Sequence, residues 1–159
     1  MPSPEGSSVA FRRVPATLCR ADIERFARTL QKEVAQGRPF DTLIAGDAEL
    51  RRLNRDFRGQ DYPTDVLSFP TAGQVKACPT DASRVPFLGD IAISLGRARA
   101  QARAFGHGIE QEIQILMLHG VLHLCGHDHE TDSGAMARAE KRWRAKLGLP
   151  NGLIERVRS

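Results

Sequence analysis

One apolar segment, residues 109–125, constrains the fold more than any other part of this 159-residue chain. Its apolar side chains recur around most of a helical wheel, which is the pattern of a helix buried on nearly all sides. Gly126 follows it, and glycine readily takes the left-handed conformation that ends a helix. The same helix carries His119 and His123, which need partners, because burying an unpaired polar group costs free energy.

These two histidines form the first part of a metal-binding pattern. They are four residues apart, so their imidazoles lie on one helix face about one turn apart. Gly126 lets the chain fold back, and His129 completes the pattern His-x-x-x-His-x-x-Gly-x-x-His. Three neutral imidazoles can hold Zn²⁺ and leave its fourth position open, as in catalytic zinc sites, although imidazole also suits iron, nickel and copper. The sequence predicts one zinc ion per chain at His119, His123 and His129.

The residues around this pattern leave alternatives open. His127 is a spare imidazole, but the glycine spacing favours His129 as the ligand and His127 as a loop residue. Asp128 either orients a ligand histidine or shapes the turn. The metzincin proteases share the histidine spacing and carry a glutamate, their general base, directly after the first histidine. Here that residue is Gly120, so a peptidase would lack its base, and the glycine instead predicts close approach of another backbone.

The rest of the chain mixes helical and strand patterns. Strands are predicted at residues 9–14, 40–45, 66–69 and 87–93, and a long loop at residues 71–86. Four further helices are predicted: at residues 23–34, from Asp47 to Phe57, from Ser94 to near Gly106, and from near Asp132 or Ser133 to Leu147. Asp47 and Ser94 can cap their helices, and Phe57 is among the apolar residues of the helix that begins at Asp47. The last helix is expected to bury Met136, Trp143 and Leu147. The sequence therefore predicts a single α/β (α+β) domain at residues 9–150, with about four strands and five helices. A flexible tail at 1–8 and a C-terminal tail at 151–159 are expected to flank it.

Charge and composition narrow the classes of function. The net charge is +4, a weak indication of a polyanionic partner. Residues 109–132 hold five acidic residues and no Lys or Arg, whereas residues 138–158 hold seven basic residues and two acidic ones. This distribution suits a metal centre beside an anion-binding surface, or simply a solvated helix face. No segment approaches the roughly 18 apolar residues of a membrane span, and the N-terminus lacks a signal pattern, so a cytoplasmic protein is expected.

A second polar cluster lies at residues 54–70, where a helix leads through a turn into a strand. Arg58, beside Gly59, either reaches a phosphate with its planar guanidinium or is a surface arginine, and the pattern alone slightly favours the latter. Asp90, on a later strand, is interpreted as structural.

Three stretches together resemble the YbeY family of bacterial rRNA maturation factors: residues 53–70, 88–91 and 119–129. Met136 and Glu140 also fit the helix that follows in that family. The resemblance implies a compact α/β fold with a zinc site. It also implies a metal-dependent, single-strand-specific endoribonuclease that processes the 3′ end of small-subunit (16S) ribosomal RNA and takes part in ribosome quality control.

By position, the resemblance carries the zinc ligands onto the same three histidines and a functional arginine onto Arg58. The family usually has an aromatic residue where this chain has His127. Implied partners are single-stranded RNA and the small ribosomal subunit with its proteins, and neither a membrane nor DNA is expected. Basic side chains on two predicted helices are candidates for contacts with RNA phosphates: Arg97, Arg103, Arg138 and Arg142.

Two other functions remain open from the sequence. One is another metal-dependent hydrolase, such as a peptidase or phosphoesterase. The other is a non-catalytic ribosome assembly factor whose metal is structural. No general base is evident, and Glu112 is only a remote candidate, because it lies about two helical turns before His119.

Overall fold

The computed structural model describes residues 6–61, 64–70, 87–126 and 134–149. This part of the chain holds four strands and five helices, as the sequence predicts. In chain order they are β1 (Ser8–Phe11), α1 (Arg20–Glu33), β2 (Phe40–Ala45), α2 (Asp47–Arg58), β3 (Val66–Pro70), β4 (Gly89–Ser94), α3 (Leu95–Phe105), α4 (Ile109–Leu124) and α5 (Ala135–Leu147).

The four strands form one mixed sheet in the order β1-β2-β4-β3. β1, β2 and β4 run parallel, and β3 pairs antiparallel with β4 at one edge. Parallel neighbours need a long connection, and α1 supplies it between β1 and β2. The strand order, which could not be read from the sequence, places β4 in the interior of the sheet.

Each face of the sheet has its own apolar cluster, because side chains alternate between the faces along a strand. Phe40 and Ile44 of β2 join the larger cluster, which includes buried side chains of α1, α3, α4 and α5. Ala45 at the end of the same strand joins the smaller cluster with Leu50 of α2. α2 and α4 therefore pack on opposite faces of the sheet.

Several element ends lie where the sequence places them. β2 spans the predicted residues 40–45. The hydroxyl of Ser94 accepts a hydrogen bond from the backbone N–H of Arg97, which confirms the predicted cap of α3. Gly106 ends that helix with φ +73°. These ends depend on local backbone chemistry, which a sequence displays directly.

Other ends differ from the prediction. α5 begins at Ala135, two or three residues after the predicted start near Asp132 or Ser133, because Gly134 has φ +87° and a right-handed helix cannot pass through that conformation. Asp47 does not cap α2: Gly46 is the cap residue, and the Asp47 carboxylate instead accepts a hydrogen bond from the Ser94 hydroxyl. Phe57, predicted on the apolar face of α2, is 68% exposed.

The predicted tails are only partly covered by the described residues. Residues 1–5 and 150–159 lie outside them, as does the predicted loop at 71–86. Ser7 and Ser8 are described, and their hydroxyls donate hydrogen bonds to the Gln31 side-chain oxygen and the Asp41 carboxylate, each over 2.7 to 2.8 Å. Within the described ranges, no helix combines the length and the apolarity that crossing a membrane requires.

Candidate metal centre and active site

The two motif histidines lie on the most deeply buried helix that the structure describes. His119 is 7% exposed and His123 is partly buried, in a helix that is otherwise buried along most of its length. Their ring centroids are 4.8 Å apart, edge to face. The four-residue spacing thus brings both imidazoles together on one face of α4, as predicted.

A carboxylate from α5 completes this part of the site. α5 packs against α4, and Oε2 of Glu140 lies 2.8 Å from Nδ1 of His119. Glu140 is only 1% exposed. The sequence interpretation did not assign Glu140 this contact. The sequence nevertheless indicated a buried partner for Glu140. This residue lies on the same face of α5 as the apolar Met136, Trp143 and Leu147, where a charged side chain needs a buried partner.

The chain turns sharply where the pattern requires it. Gly126 has φ +100°, and its backbone N–H donates to the His123 carbonyl, so α4 ends as predicted. His127, Asp128 and His129 follow immediately and lie outside the described residues. The assignment of His129 as third ligand therefore stays a prediction. Among the residues that are described, no three His, Cys, Asp or Glu side chains are grouped as a complete metal site.

Gly120 packs closely against the sheet. A Cβ atom there would lie 3.1 Å from two carbons of the Ile91 side chain on β4. The predicted close approach is thus real, but the neighbour is a side chain and not a backbone. A larger side chain after His119 would require the buried Ile91 to shift, so glutamate, the base of the metzincin peptidases, fits poorly at this position.

Glu112 is not available as a general base. Its Oε1 lies 2.6 Å from Nε2 of His107, and the Glu112 side chain is fully buried. This pair joins the loop after α3 to the first turn of α4. Glu112 lies two turns before His119 and pairs with another histidine, so its position does not support a part in the chemistry at His119.

Arg58 is the last residue of α2 and is exposed. Among the described residues, none forms a hydrogen bond or an ion pair with its guanidinium. α2 packs on the sheet face opposite α4, so no described contact brings Arg58 to the histidines. The role predicted for Arg58 in phosphate binding stays a prediction.

The candidate RNA-contact arginines lie on the two helices that flank α4. α3 and α5 both pack against α4. Their charged side chains face solvent: Arg97, Arg103, Arg138 and Arg142 are all exposed. The basic surface is therefore carried by the neighbours of the histidine helix.

The open part of the other sheet face forms a cleft of about 550 Å³. Asp41 and Asp90 lie side by side there in the register of β2 and β4, between Phe57, Phe69 and Ser8. Partial burial, together with the charge of Asp41, raises the pKa of the Asp90 carboxyl. Asp90, interpreted from the sequence as structural, thus lines an acidic cleft across the sheet from the histidines.

Comparisons with known proteins identify the family. A protein of Solibacter usitatus named endoribonuclease YbeY is 75% identical over 159 residues, the whole of both chains. One of the same name from Koribacter versatilis is 40% identical over 94% of this chain and 91% of its own. A family model described as endoribonuclease YbeY matches residues 11–148. The chain belongs to the endoribonuclease YbeY family. The resemblance read from the sequence is thereby confirmed.

The fold agrees with this membership. The solution structure of a Thermotoga maritima protein superposes with a TM-score of 0.54, at 25% sequence identity, over 87% of this chain and 93% of that one. The enzyme class predicted from the sequence, an endoribonuclease, is the class that the YbeY family name states. The match at residues 11–148 takes in α1 to α5 and hence both histidines of α4 and the glutamate of α5.

Proposed function

We propose that this YbeY family member is a zinc-dependent, single-strand-specific endoribonuclease. Its substrate is the 3′ end of small-subunit ribosomal RNA, and it acts in rRNA maturation and ribosome quality control in the cytoplasm. The observation that supports this most strongly is the adjacent pair His119 and His123 on α4, with Glu140 hydrogen-bonded to the first of them. RNA cleavage is the activity named for the relatives that are 75% and 40% identical.

The donor set fits one zinc ion per chain. Two imidazoles with centroids 4.8 Å apart are close enough to share a metal. A carboxylate at the remote ring nitrogen is the usual partner of a zinc-bound histidine. His129 would be the third protein ligand, brought back by the turn at Gly126. When bound, zinc would stabilise negative charge on a phosphoryl oxygen or lower the pKa of a water molecule.

The remaining chemistry falls to the chain's arginines. Arg58 binds a non-bridging phosphate oxygen with its planar guanidinium and stabilises the charge that develops during cleavage. The arginines of α3 and α5, namely Arg97, Arg103, Arg138 and Arg142, hold the RNA backbone by its phosphates. The chain has only nine aromatic residues, so base stacking contributes little and sequence selectivity is weak.

The decisive experiment is cleavage of a labelled single-stranded RNA by the purified protein and by His123→Ala, prepared identically. A basic protein readily carries contaminating ribonuclease, and the paired variant controls for it. We expect cleavage by the parent, loss of cleavage on chelation, recovery with Zn²⁺, and none by the variant. Equal cleavage by both proteins would refute the proposal.

Two further substrates separate the alternatives. A duplex of the same sequence should resist cleavage. A single 2′-deoxyribose at the cut site tests whether the neighbouring 2′-hydroxyl is the nucleophile, since continued cleavage would require water instead. If neither RNA nor small-subunit particles are cut, while His123→Ala still binds those particles, the protein is a non-catalytic assembly factor.

A further inference from the structure

Glu140 lies in an unusual place for a charged side chain. It is 1% exposed on α5, whereas Arg138, Lys141 and Arg142 of the same helix are exposed. A carboxylate is this deeply buried only where a partner compensates the loss of hydration. His119 is such a partner, with Oε2 of Glu140 at 2.8 Å from its Nδ1.

This contact decides how the imidazole is presented. A carboxylate accepts a hydrogen bond, so Nδ1 of His119 carries the proton and donates it. In a neutral imidazole the other nitrogen, Nε2, then holds the lone pair that a metal requires. The bond also restricts rotation of the ring about its side-chain torsions. Both effects remove free-energy costs that metal binding would otherwise meet.

We propose that Glu140 is a positioning residue: it fixes the tautomer and the ring orientation of His119 and thereby raises the affinity of the site for Zn²⁺. This inference rests on the metal site proposed above. It assigns to Glu140 a role that acts only through His119. Without the carboxylate, His119 would still be present but would bind the metal less tightly.

The chain contains a matched control. Glu112 and His107 form a second buried glutamate–histidine pair, with 2.6 Å between Oε1 and Nε2. It lies at the other end of α4, and His107 is outside the metal-binding pattern. Replacing Glu112 by Gln therefore perturbs a buried bond of the same kind without touching a proposed ligand.

The test compares the full-length parent, Glu140→Gln and Glu112→Gln after removal of metal. Zinc affinity is measured by competition with a chromophoric chelator, and thermal unfolding shows that each protein is folded. We expect Glu140→Gln to bind Zn²⁺ about 10- to 100-fold more weakly and Glu112→Gln to bind as the parent does. Equal affinity of the parent and Glu140→Gln, or an equal loss in both variants, would overturn the inference.

A spectroscopic readout separates positioning from general destabilisation. In the zinc-loaded parent, the Nδ1 proton of His119 should give a far-downfield, slowly exchanging NMR resonance. In Glu140→Gln it should move upfield, because an amide oxygen is a weaker acceptor than a carboxylate. An unmoved resonance would refute the positioning role. A parent that binds no zinc would overturn the proposed metal site as well. If the parent binds zinc and Glu140→Gln binds it equally well, the metal site stands and only the role of Glu140 is refuted.

Discussion

Gly120 of α4 packs against Ile91 of β4 so closely that a Cβ atom on the glycine would lie 3.1 Å from the isoleucine side chain. Ile91 is itself 1% exposed and lies within the larger core cluster. It has little room to move away, since protein cores are packed as densely as organic crystals. The lack of a side chain at Gly120 thus allows α4, which carries the histidines, to pack closely against β4.

We predict that Gly120→Ala destabilises the protein despite the better helix propensity of alanine. The propensity gain is about 1 kcal/mol, whereas overpacking a core costs about 1 to 3 kcal/mol. The free energy of unfolding in urea should therefore fall. Ile91→Val removes one of the clashing carbons, so the double variant should lose less than the sum of the two single variants. Strict additivity would contradict this packing argument.

The choice between His129 and His127 as third ligand can be made with two single variants. We expect His129→Ala to lose zinc at micromolar concentrations and His127→Ala to keep it, because the turn at Gly126 favours the more distant histidine. Metal content after dialysis gives the answer. The reverse result would mean that His127 is the third ligand. The replacement of the family's usual aromatic residue by His127 would then be a change of metal ligand.

Arg58→Ala should retain the fold and the bound metal but lose RNA cleavage. Removing one group that stabilises transition-state charge costs about 10²- to 10³-fold in rate. Arg55→Ala is the matched control, since Arg55 is exposed on the last turn of the same helix and pairs only with Asp56 among the described carboxylates. Comparable losses of cleavage rate in both variants would mean that the overall positive charge of this helix end matters and not Arg58 itself. Loss of metal in Arg58→Ala would indicate a structural role.

The acidic cleft predicts a pH-dependent stability. Partial burial and the neighbouring Asp41 raise the pKa of Asp90, so the folded protein binds this proton more tightly than the unfolded chain does. The resulting contribution to stability is present below the unfolded pKa and is lost as the pH rises through the folded pKa. At neutral pH, Asp90→Asn should therefore stabilise the protein, on the order of 0.5 kcal/mol for a pair of like charges on adjacent strands.

The gain from Asp90→Asn should disappear as the pH is lowered through the folded pKa of Asp90. Urea denaturation of parent and variant at pH 7 and in acid measures both values. If the difference in the free energy of unfolding between parent and variant is the same at both pH values, the charge of Asp90 is not the cause of the stabilisation.

The sequence was most informative where structure depends on local chemistry. The strand at Phe40–Ala45, the Ser94 cap and the glycine that ends α4 all follow from short-range rules. The pairing of His119 with His123 follows from helical periodicity alone. These features need no knowledge of how the elements pack.

Features that depend on packing were not accessible in the same way. Glu140 meets His119 across 21 residues and two helices, and no spacing rule reports such a contact. The exposure of Phe57 follows from α2 covering only part of its sheet face, which depends on the strand order. The neighbour of Gly120 was predicted to be a backbone for the same reason: the glycine signals a close approach but not the atoms that approach.

The hydrogen bond between Glu140 and His119 also determines when, during synthesis of the chain, the site can form. A chain is synthesised from its N-terminus, so α4 and its two histidines are translated before α5. Until α5 has emerged and docked, His119 lacks the carboxylate that orients it. The newborn chain therefore acquires its fully oriented histidine pair only after nearly the whole family domain has been translated.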